Sequence, residues 1–381
     1  MLYKDFKGKR ISQLAFGCMR LPCICGDDSK PDPEKTKELV KYAMEHGINY
    51  YDTAWGYHAG NSETVIGEAL SAYPRDSFYL ADKFPGYDVS NMPKAEEIFE
   101  QQLKKCRTDY FDFYLIHNVC ELNIRQYLDP QFGIKDYFVK QVKNGRIKHL
   151  GFSVHGEMDC LNAFLEVYGD AMEFCQIQIN YFDWNFQHAK EKVERVSELG
   201  IPVWVMEPLR GGKLANIDGE HMAELERFRP GVSAVEWAFR FLQSIPEVTT
   251  TLTGMSDFEQ QKVKIDCYGE EKPLTGKEFE TIVRIGDEMA ASGTVPCTSC
   301  RYCVTHCQKN LDIPLLIARY NQHLVTEVDF ITPMAMGGTP KEQWPDACVG
   351  CRKCEKVCPQ QIKISEIMKK FSKILEEGSP F

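Results

Sequence analysis

The stretch DPEKTKELVKYAMEHGINYYDTAWGY, residues 32–57, sets the reading of the fold. Asp32 suits a helix N-cap, and Pro33 suits the first helical position, where its missing N–H would have no partner. Gly47 stops that helix, and Asn49–Asp52 follows as a short apolar strand. This helix-and-strand unit recurs along the chain. Candidate strands are Leu14–Gly17, Asn49–Asp52, Phe78–Lys83, Phe111–His117, His149–Ser153, Phe174–Ile179, Pro202–Glu207 and Thr249–Thr253. Helical stretches between them include Pro33–His46, Ser62–Ala72, Lys94–Arg107, Phe138–Asn144, Asp159–Tyr168, His188–Leu199 and Ser233–Gln243. Eight strands alternating with helices between Gln13 and Ala291 fit an α/β chain folded as a (β/α)8 TIM barrel. A doubly wound sheet stays open on the alternation alone, but the glycine-rich turn G-x-G-x-x-G is missing after the first strand.

With 381 residues, 43% hydrophobic and 26% charged, the chain can bury a full core without covalent or metal staples. Its net charge of −10 argues against a general nucleic-acid or anionic-membrane binder. No apolar run approaches the roughly 18 residues of a spanning helix, and the first residues lack a secretory signal core. A soluble, cytoplasmic chain with no nucleic-acid or membrane partner is expected.

Sixteen cysteines are many for such a chain. Half are scattered from Cys18 to Cys267; the rest crowd between Cys297 and Cys358. In a reducing compartment a dense cluster reads as a metal site before it reads as disulfides. Cys297, Cys300, Cys303 and Cys307 form C-x2-C-x2-C-x3-C, and Cys348, Cys351, Cys354 and Cys358 repeat it, followed by Pro359. This is the two-cluster ferredoxin run, in which the fourth cysteine of each run ligates the other cluster. Cys297, Cys300, Cys303 and Cys358 are thus assigned to one [4Fe–4S] cluster, and Cys348, Cys351, Cys354 and Cys307 to a second. Zinc is the weaker alternative, because its sites favour paired C-x2-C knuckles. One departure is Gln308 where a proline often follows the fourth cysteine. Ile313–Tyr320 reads as a helix with proline in its first turn, and Ile364, Ile367, Met368, Phe371 and Ile374 mark another. The module resembles the helical two-cluster ferredoxins attached to larger redox enzymes. Residues 1–292 are expected to form the barrel and residues 293–381 the mainly helical two-cluster domain, with Thr294-Val295-Pro296 bridging them. Beyond the duplicated cysteine run no internal repeat is evident.

Chemistry in a barrel belongs at the C-terminal ends of its strands. Those ends present Asp52, Lys83 and His117, with Tyr57 just beyond Asp52. At this point the chain resembles the aldo-keto reductases. Tyr51-Asp52-Thr53-Ala54-Trp55-Gly56-Tyr57, with Ser62-Glu63 and Ile66-Gly67, looks like their active-site signature. Ala81-Asp82-Lys83-Phe84 and Asp112-Phe113-Tyr114-Leu115-Ile116-His117 match their lysine and histidine strands. The resemblance implies an oxidoreductase that moves hydride between NAD(P)H and a small carbonyl or alcohol substrate, with Tyr57 as general acid and, in reverse, base. Lys83 is expected to pull the Tyr57 pKa down, Asp52 to hold Lys83 charged, and His117 to orient the carbonyl.

The resemblance also maps the cofactor contacts. Ser153 matches the serine that holds the carboxamide, with Val154 where many members have asparagine. Gln176 fits the family glutamine, and Met206 takes the place of a stacking aromatic. The turn Arg210-Gly211-Gly212-Lys213 is placed along the pyrophosphate. In the segment Gly254-Met255-Ser256-Asp257-Phe258-Glu259-Gln260, Gly254, Ser256 and Gln260 are assigned to the dinucleotide. NADPH-selective members commonly place Lys at Gly254 and Arg at Gln260; here Lys262 or Lys264 is left to substitute, and NADPH versus NADH stays open. No flavin motif is legible, so direct passage of electrons from NAD(P)H to the clusters is unsupported. Three roles remain: a carbonyl reductase with structural or sensing clusters, a ferredoxin-linked oxidoreductase served by an electron-carrier protein, and a non-catalytic redox-sensing subunit. Cys18, Cys23 and Cys25 lie near the presumed pocket mouth and read as ordinary thiols, lacking a histidine within sequence reach.

Overall fold

The computed structural model describes residues 1–295, 297, 301, 303–326, 331–358 and 360–377. Cys300, Pro296 and Pro359 lie outside the described residues. The chain divides into two compact units, Met1–Val119 with Asn123–Arg284, and Cys120–Leu122 with Ile285–Phe381. No helix among the described residues is long and apolar enough to cross a membrane.

The first unit opens with a hairpin, β1 (Tyr3–Phe6) and β2 (Lys9–Ser12), that the alternation from Gln13 onward does not include. Lys7 (φ 52°) and Gly8 (φ 79°) make its two-residue turn, whose twin positive φ values match the twist of the paired strands. Eight parallel strands then close on themselves: β3 (Leu14–Gly17), β4 (Tyr50–Asp52), β5 (Tyr79–Phe84), β6 (Phe111–Val119), β7 (Ile147–Val154), β8 (Cys175–Gln178), β9 (Val203–Met206) and β10 (Val248–Gly254). The barrel is closed by β10 pairing with β3, Thr253 against Phe16. All eight expected strands form, with ends moved by one or two residues. The helix read as Phe138–Asn144 starts a turn earlier, at Ile134 after the left-handed Gly133. Pro33–Glu45 begins as the sequence dictates, with the Asp32 carboxylate accepting from the Glu34 and Lys35 amides.

The barrel is filled by Ala15, Tyr50, Ala81, Phe113, Leu115, Phe174, Trp204 and Leu252, and Phe6 from the hairpin joins them. Phe6 sits 5.0 Å from the His149 ring and 5.1 Å from that of Trp204. Lys4 donates to the carbonyls of Pro246 and Val248, at the start of β10. The hairpin therefore plugs the N-terminal end of the barrel, leaving the C-terminal end open.

The second unit is helical among its described residues, around a core of Leu311, Ile313, Ile317, Tyr320, Met336, Ile362, Ile364, Met368 and Phe371. Here the duplication extends past the cysteines. The shift that carries Cys297 onto Cys348 also carries the 3-10 turn Val304–His306 onto Glu355–Val357, and helix Ile313–Thr326 onto Ile364–Glu377. Arg301 and Arg352 share positive φ (64° and 57°), as do Asn310 and Gln361 (53° each). Tyr320 and Phe371, equivalent under that shift, meet edge to face at 5.7 Å. The expectation of no further repeat is thus corrected. Few side chains outside the cysteines are identical, and what repeats is the placement of apolar residues and left-handed turns.

Candidate active site

Asp52 ends β4, Lys83 lies near the end of β5, and His117 near the end of β6. The Lys83 side chain is buried, and its ammonium uses all three donors: Asp52 Oδ1 at 2.5 Å, the Thr53 carbonyl at 2.8 Å and the Tyr57 hydroxyl at 3.3 Å. Burial alone would lower the Lys83 pKa, but the Asp52 carboxylate and the Tyr57 hydroxyl outweigh it and hold it above the ordinary lysine value. Burial raises Asp52, and Lys83 opposes that rise.

Tyr57 does not follow the expected direction. Desolvation raises its pKa and exceeds the downward pull of Lys83, with the Asp52 charge adding to the rise. Lys83 does pull the phenol down, but the loss of water, which favours the neutral phenol, is the larger effect. His117 is held well below its ordinary value by burial, then by Lys83 and His155, so the ring is neutral near pH 7. Its Nδ1 is buried and has no hydrogen-bond partner among the described residues. The rings of Tyr57 and Tyr87 stand edge-on to it at 6.2 and 5.4 Å. Tyr87 was absent from the sequence reading, because a loop tyrosine carries no periodic signal.

Behind Lys83 lies a second layer. The Asp82 carboxylate accepts from the Lys83 amide at 2.8 Å, and Gln102 Nε2 donates to the Lys83 carbonyl at 2.9 Å. Gln102 also donates to Glu63 at 3.0 Å and accepts from Tyr114 at 2.6 Å. Burial and the Glu63 charge lift Asp82 well above its ordinary carboxylate value. Lys83 is thus fixed by its backbone as well as by its ammonium.

Tyr57 begins a turn in which His58 and Ala59 are both left-handed, at φ 54° and 53°, costing roughly 1–2 kcal/mol each. The His58 ring holds that turn: Nε2 accepts from the Leu21 amide at 3.0 Å and Nδ1 donates to the Asp28 carbonyl at 2.7 Å. Cys23 does have a histidine neighbour after all, its Sγ 3.7 Å from His58 Nδ1; the partner comes from beyond the next helix. Cys23, Asp28 and His58 bring donor atoms within 4.8 Å of one another. Both ring nitrogens are nevertheless committed to the backbone, and the imidazole acts as a clamp beside Tyr57.

A cavity of about 610 Å³ opens over this end of the barrel. Asp52, Tyr57, Gln176, Met206, Gly211, Gly254, Ser256 and Gln260 are in its wall, whereas Lys83, His117 and Ser153 are not. Ser153 is buried, its hydroxyl accepting from the Asn118 amide at 2.8 Å. Gln176 Nε2 donates to Met206 Sδ at 3.6 Å while its buried Oε1 has no partner among the described residues, which leaves an acceptor free for an amide donor. Arg210 turns inward to Asp183, Nε to Oδ1 at 3.1 Å, and this buried pair sets the turn so that Gly211 and Gly212 form the wall. Lys264 is also in the wall; Lys262 is exposed and outside it.

In the second unit two small cavities sort the thiols. Cys297, Cys303 and Cys358 line one, with Arg301; Cys307, Cys348, Cys351 and Cys354 line the other. Each run sends its fourth cysteine to the other run's cavity, a donor set that suits two thiolate-ligated clusters.

A model of the aldo/keto reductase family matches residues 13–287, and a model of the 4Fe-4S dicluster domain matches residues 296–363. A probable aldo-keto reductase of Glycine max is 28% identical over 217 residues, covering 54% of this chain and 58% of that protein's length. An uncharacterized oxidoreductase of Bacillus subtilis is 25% identical over 305 residues, covering 68% of this chain and 87% of that protein. The holo form of an aldo-keto reductase from Bacillus halodurans superposes with a TM-score of 0.60 at 23% identity, covering 73% of this chain and 93% of its own. A Klebsiella pneumoniae aldo/keto reductase in complex with NADP and acetate gives 0.59 at 18% identity, covering 73% and 93%. At such identities the solved structures speak for the fold.

Proposed function

The chain belongs to the aldo/keto reductase family and continues into a 4Fe-4S dicluster domain, and on that premise we propose that it is an NAD(P)-dependent oxidoreductase of small carbonyl and alcohol substrates. The observation that carries this reading is the single ammonium of Lys83 bonded at once to Asp52, Thr53 and Tyr57. A bound nicotinamide supplies or accepts the hydride. Tyr57 gives its proton to the substrate oxygen as negative charge develops there, and takes it back in the reverse direction. Lys83, kept charged by Asp52, stabilises the phenolate left behind. Neutral His117 gives a hydrogen bond that orients the substrate carbonyl. Gln176, with its Oε1 unpartnered among the described residues, would hold the nicotinamide carboxamide, Met206 would pack on the ring, and Ser153, Gly211, Gly254, Ser256 and Gln260 would supply further dinucleotide contacts. Tyr57→Phe is expected to lower carbonyl reduction about 10²–10⁴-fold while fluorescence titration finds dinucleotide affinity unchanged; undiminished turnover would refute Tyr57 as the acid.

We take residues 1–292 as the catalytic barrel and 293–381 as a cytoplasmic two-cluster domain, with Cys297, Cys300, Cys303 and Cys358 holding one [4Fe–4S] cluster and Cys307, Cys348, Cys351 and Cys354 the other. Bound clusters supply one-electron chemistry. A second reading, in which they exchange electrons with an external carrier, is favoured by the exposure of Cys351 and of Val349 beside it, 58% exposed. Anaerobic EPR after addition of NADPH or NADH without substrate separates the two. Reduced-cluster signals require a path from hydride to single electrons and direct a search for flavin. Clusters silent to both dinucleotides and reducible by dithionite favour a barrel that works alone.

A further inference from the structure

We propose that Tyr50, Trp204 and Asp52 together hold one ordered water inside the barrel, and that Tyr50 thereby acts as a positioning residue for Asp52 and the ammonium it faces. The functional part of this inference rests on the oxidoreductase reading above. Asp52 Oδ1 is engaged by Lys83 at 2.5 Å. Its Oδ2 is buried and has no hydrogen-bond partner among the described residues. The Tyr50 hydroxyl and Trp204 Nε1 share that condition. Both of these side chains are fully enclosed, at 0% exposure, and Asp52 is 3% exposed. Buried polar atoms left without a partner are rare and costly, and an ordered water is a usual remedy.

The fold brings the three together. Tyr50 and Asp52 lie two residues apart on β4, which puts both side chains on one face of the strand; Tyr50 packs in the barrel core and Asp52 reaches the cavity. Trp204 enters from β9, its ring centroid 6.4 Å from that of Tyr50. Burial, then the Asp52 charge, holds the Tyr50 phenol well above its ordinary value, while hydrogen bonding from Trp204 pulls the other way. The carboxylate and the indole are thus both felt at one hydroxyl, yet neither reaches it in full hydrogen-bond geometry. Their chemistry is complementary, because an indole N–H only donates, a phenol does both and a carboxylate only accepts. One water accepts from Trp204 Nε1, donates to Asp52 Oδ2 and shares a bond with Tyr50, which makes the roughly three bonds usual for a buried water. It restrains the carboxylate from its free side, so that Oδ1 stays on Lys83, and Lys83 in turn bonds Tyr57 at 3.3 Å. The other titratable groups facing this site are the Cys18 thiol, whose pKa burial and then Asp52 raise, and Asp112, which acts on Tyr50 from β6.

The test uses the full chain as wild type, Tyr50→Phe and Trp204→Phe. High-resolution crystallography is expected to find one water among the three side chains in the wild type and none there in Tyr50→Phe. Tyr50→Phe is expected to lower kcat for carbonyl reduction about tenfold, with KM and dinucleotide Kd changed less than about twofold. It also moves the rise of alcohol oxidation to higher pH, because a looser Lys83 stabilises the Tyr57 phenolate less. Trp204→Phe shifts the same quantities in the same direction and decides the matter if the Tyr50 variant does not fold. A wild-type structure without that water overturns the proposal. So do unchanged kinetics in both variants, or lowered stability with kcat and the pH profile unmoved. A wild-type chain that reduces no carbonyl with either dinucleotide sinks the oxidoreductase reading instead, and crystallography then judges the water site alone.

Discussion

At the scale of single residues, the balance between burial and charge at Tyr57 governs pH behaviour. The phenol is held above its ordinary value near 10, so the protonated form that the proposed acid role of Tyr57 requires is present throughout the neutral range. Carbonyl reduction is expected to stay flat with pH and to decline only in strong alkali, while alcohol oxidation, which needs the phenolate, climbs as pH rises. His117, lowered well below 6.5, adds no inflection near pH 6.5. A reduction profile that falls between pH 6 and 8 would contradict both assignments. Asp52→Ala leaves the Lys83 ammonium buried without its carboxylate, and a loss of about 3–5 kcal/mol in stability is expected from urea unfolding, together with loss of turnover. Asp52, Tyr57, Lys83 and His117 were legible in the sequence because strand ends bring them to one side. Tyr50, Trp204 and the His58 clamp were less so. Each acts through a partner on another element, and a spacing rule carries no distance across elements.

At the scale of elements, the strands were legible because runs buried on both faces stand out against the capped helices between them. The hairpin Tyr3–Ser12 was missed, although Lys7-Gly8 between two short runs is a two-residue turn signal. Helix Ser62–Leu70 shows what periodicity cannot convey. A Cβ on Gly67 would lie 2.6 Å from the Cys106 backbone, so this helix and the end of helix Ala95–Lys105 meet backbone to backbone. The same pair of helices carries Glu63 and its partners Gln102 and Lys105. Gly67→Ala is expected to cost about 1–3 kcal/mol, read from the urea midpoint. It should also lower turnover by moving the layer that pins Lys83; wild-type stability would show that the contact relaxes freely.

At the scale of the whole molecule, the two units were legible for different reasons: one from alternation of elements, the other from cysteine spacing. The internal symmetry of the second was not, because it resides in backbone turns and in apolar positions occupied by different side chains. That symmetry makes the crossed ligand scheme testable. Cys307→Ser is expected to strip the cluster proposed for Cys348, Cys351 and Cys354 while sparing the one proposed for the other run, so iron falls to about half and one set of EPR signals survives. Full iron content would refute the crossing. At the far end of the first unit, the hairpin that carries Phe6 closes the barrel floor, opposite the cavity. An immobilisation handle grafted ahead of Tyr3 would therefore load the closed end of the barrel, and enzyme fixed to a bead or electrode that way keeps its handle away from the chemistry.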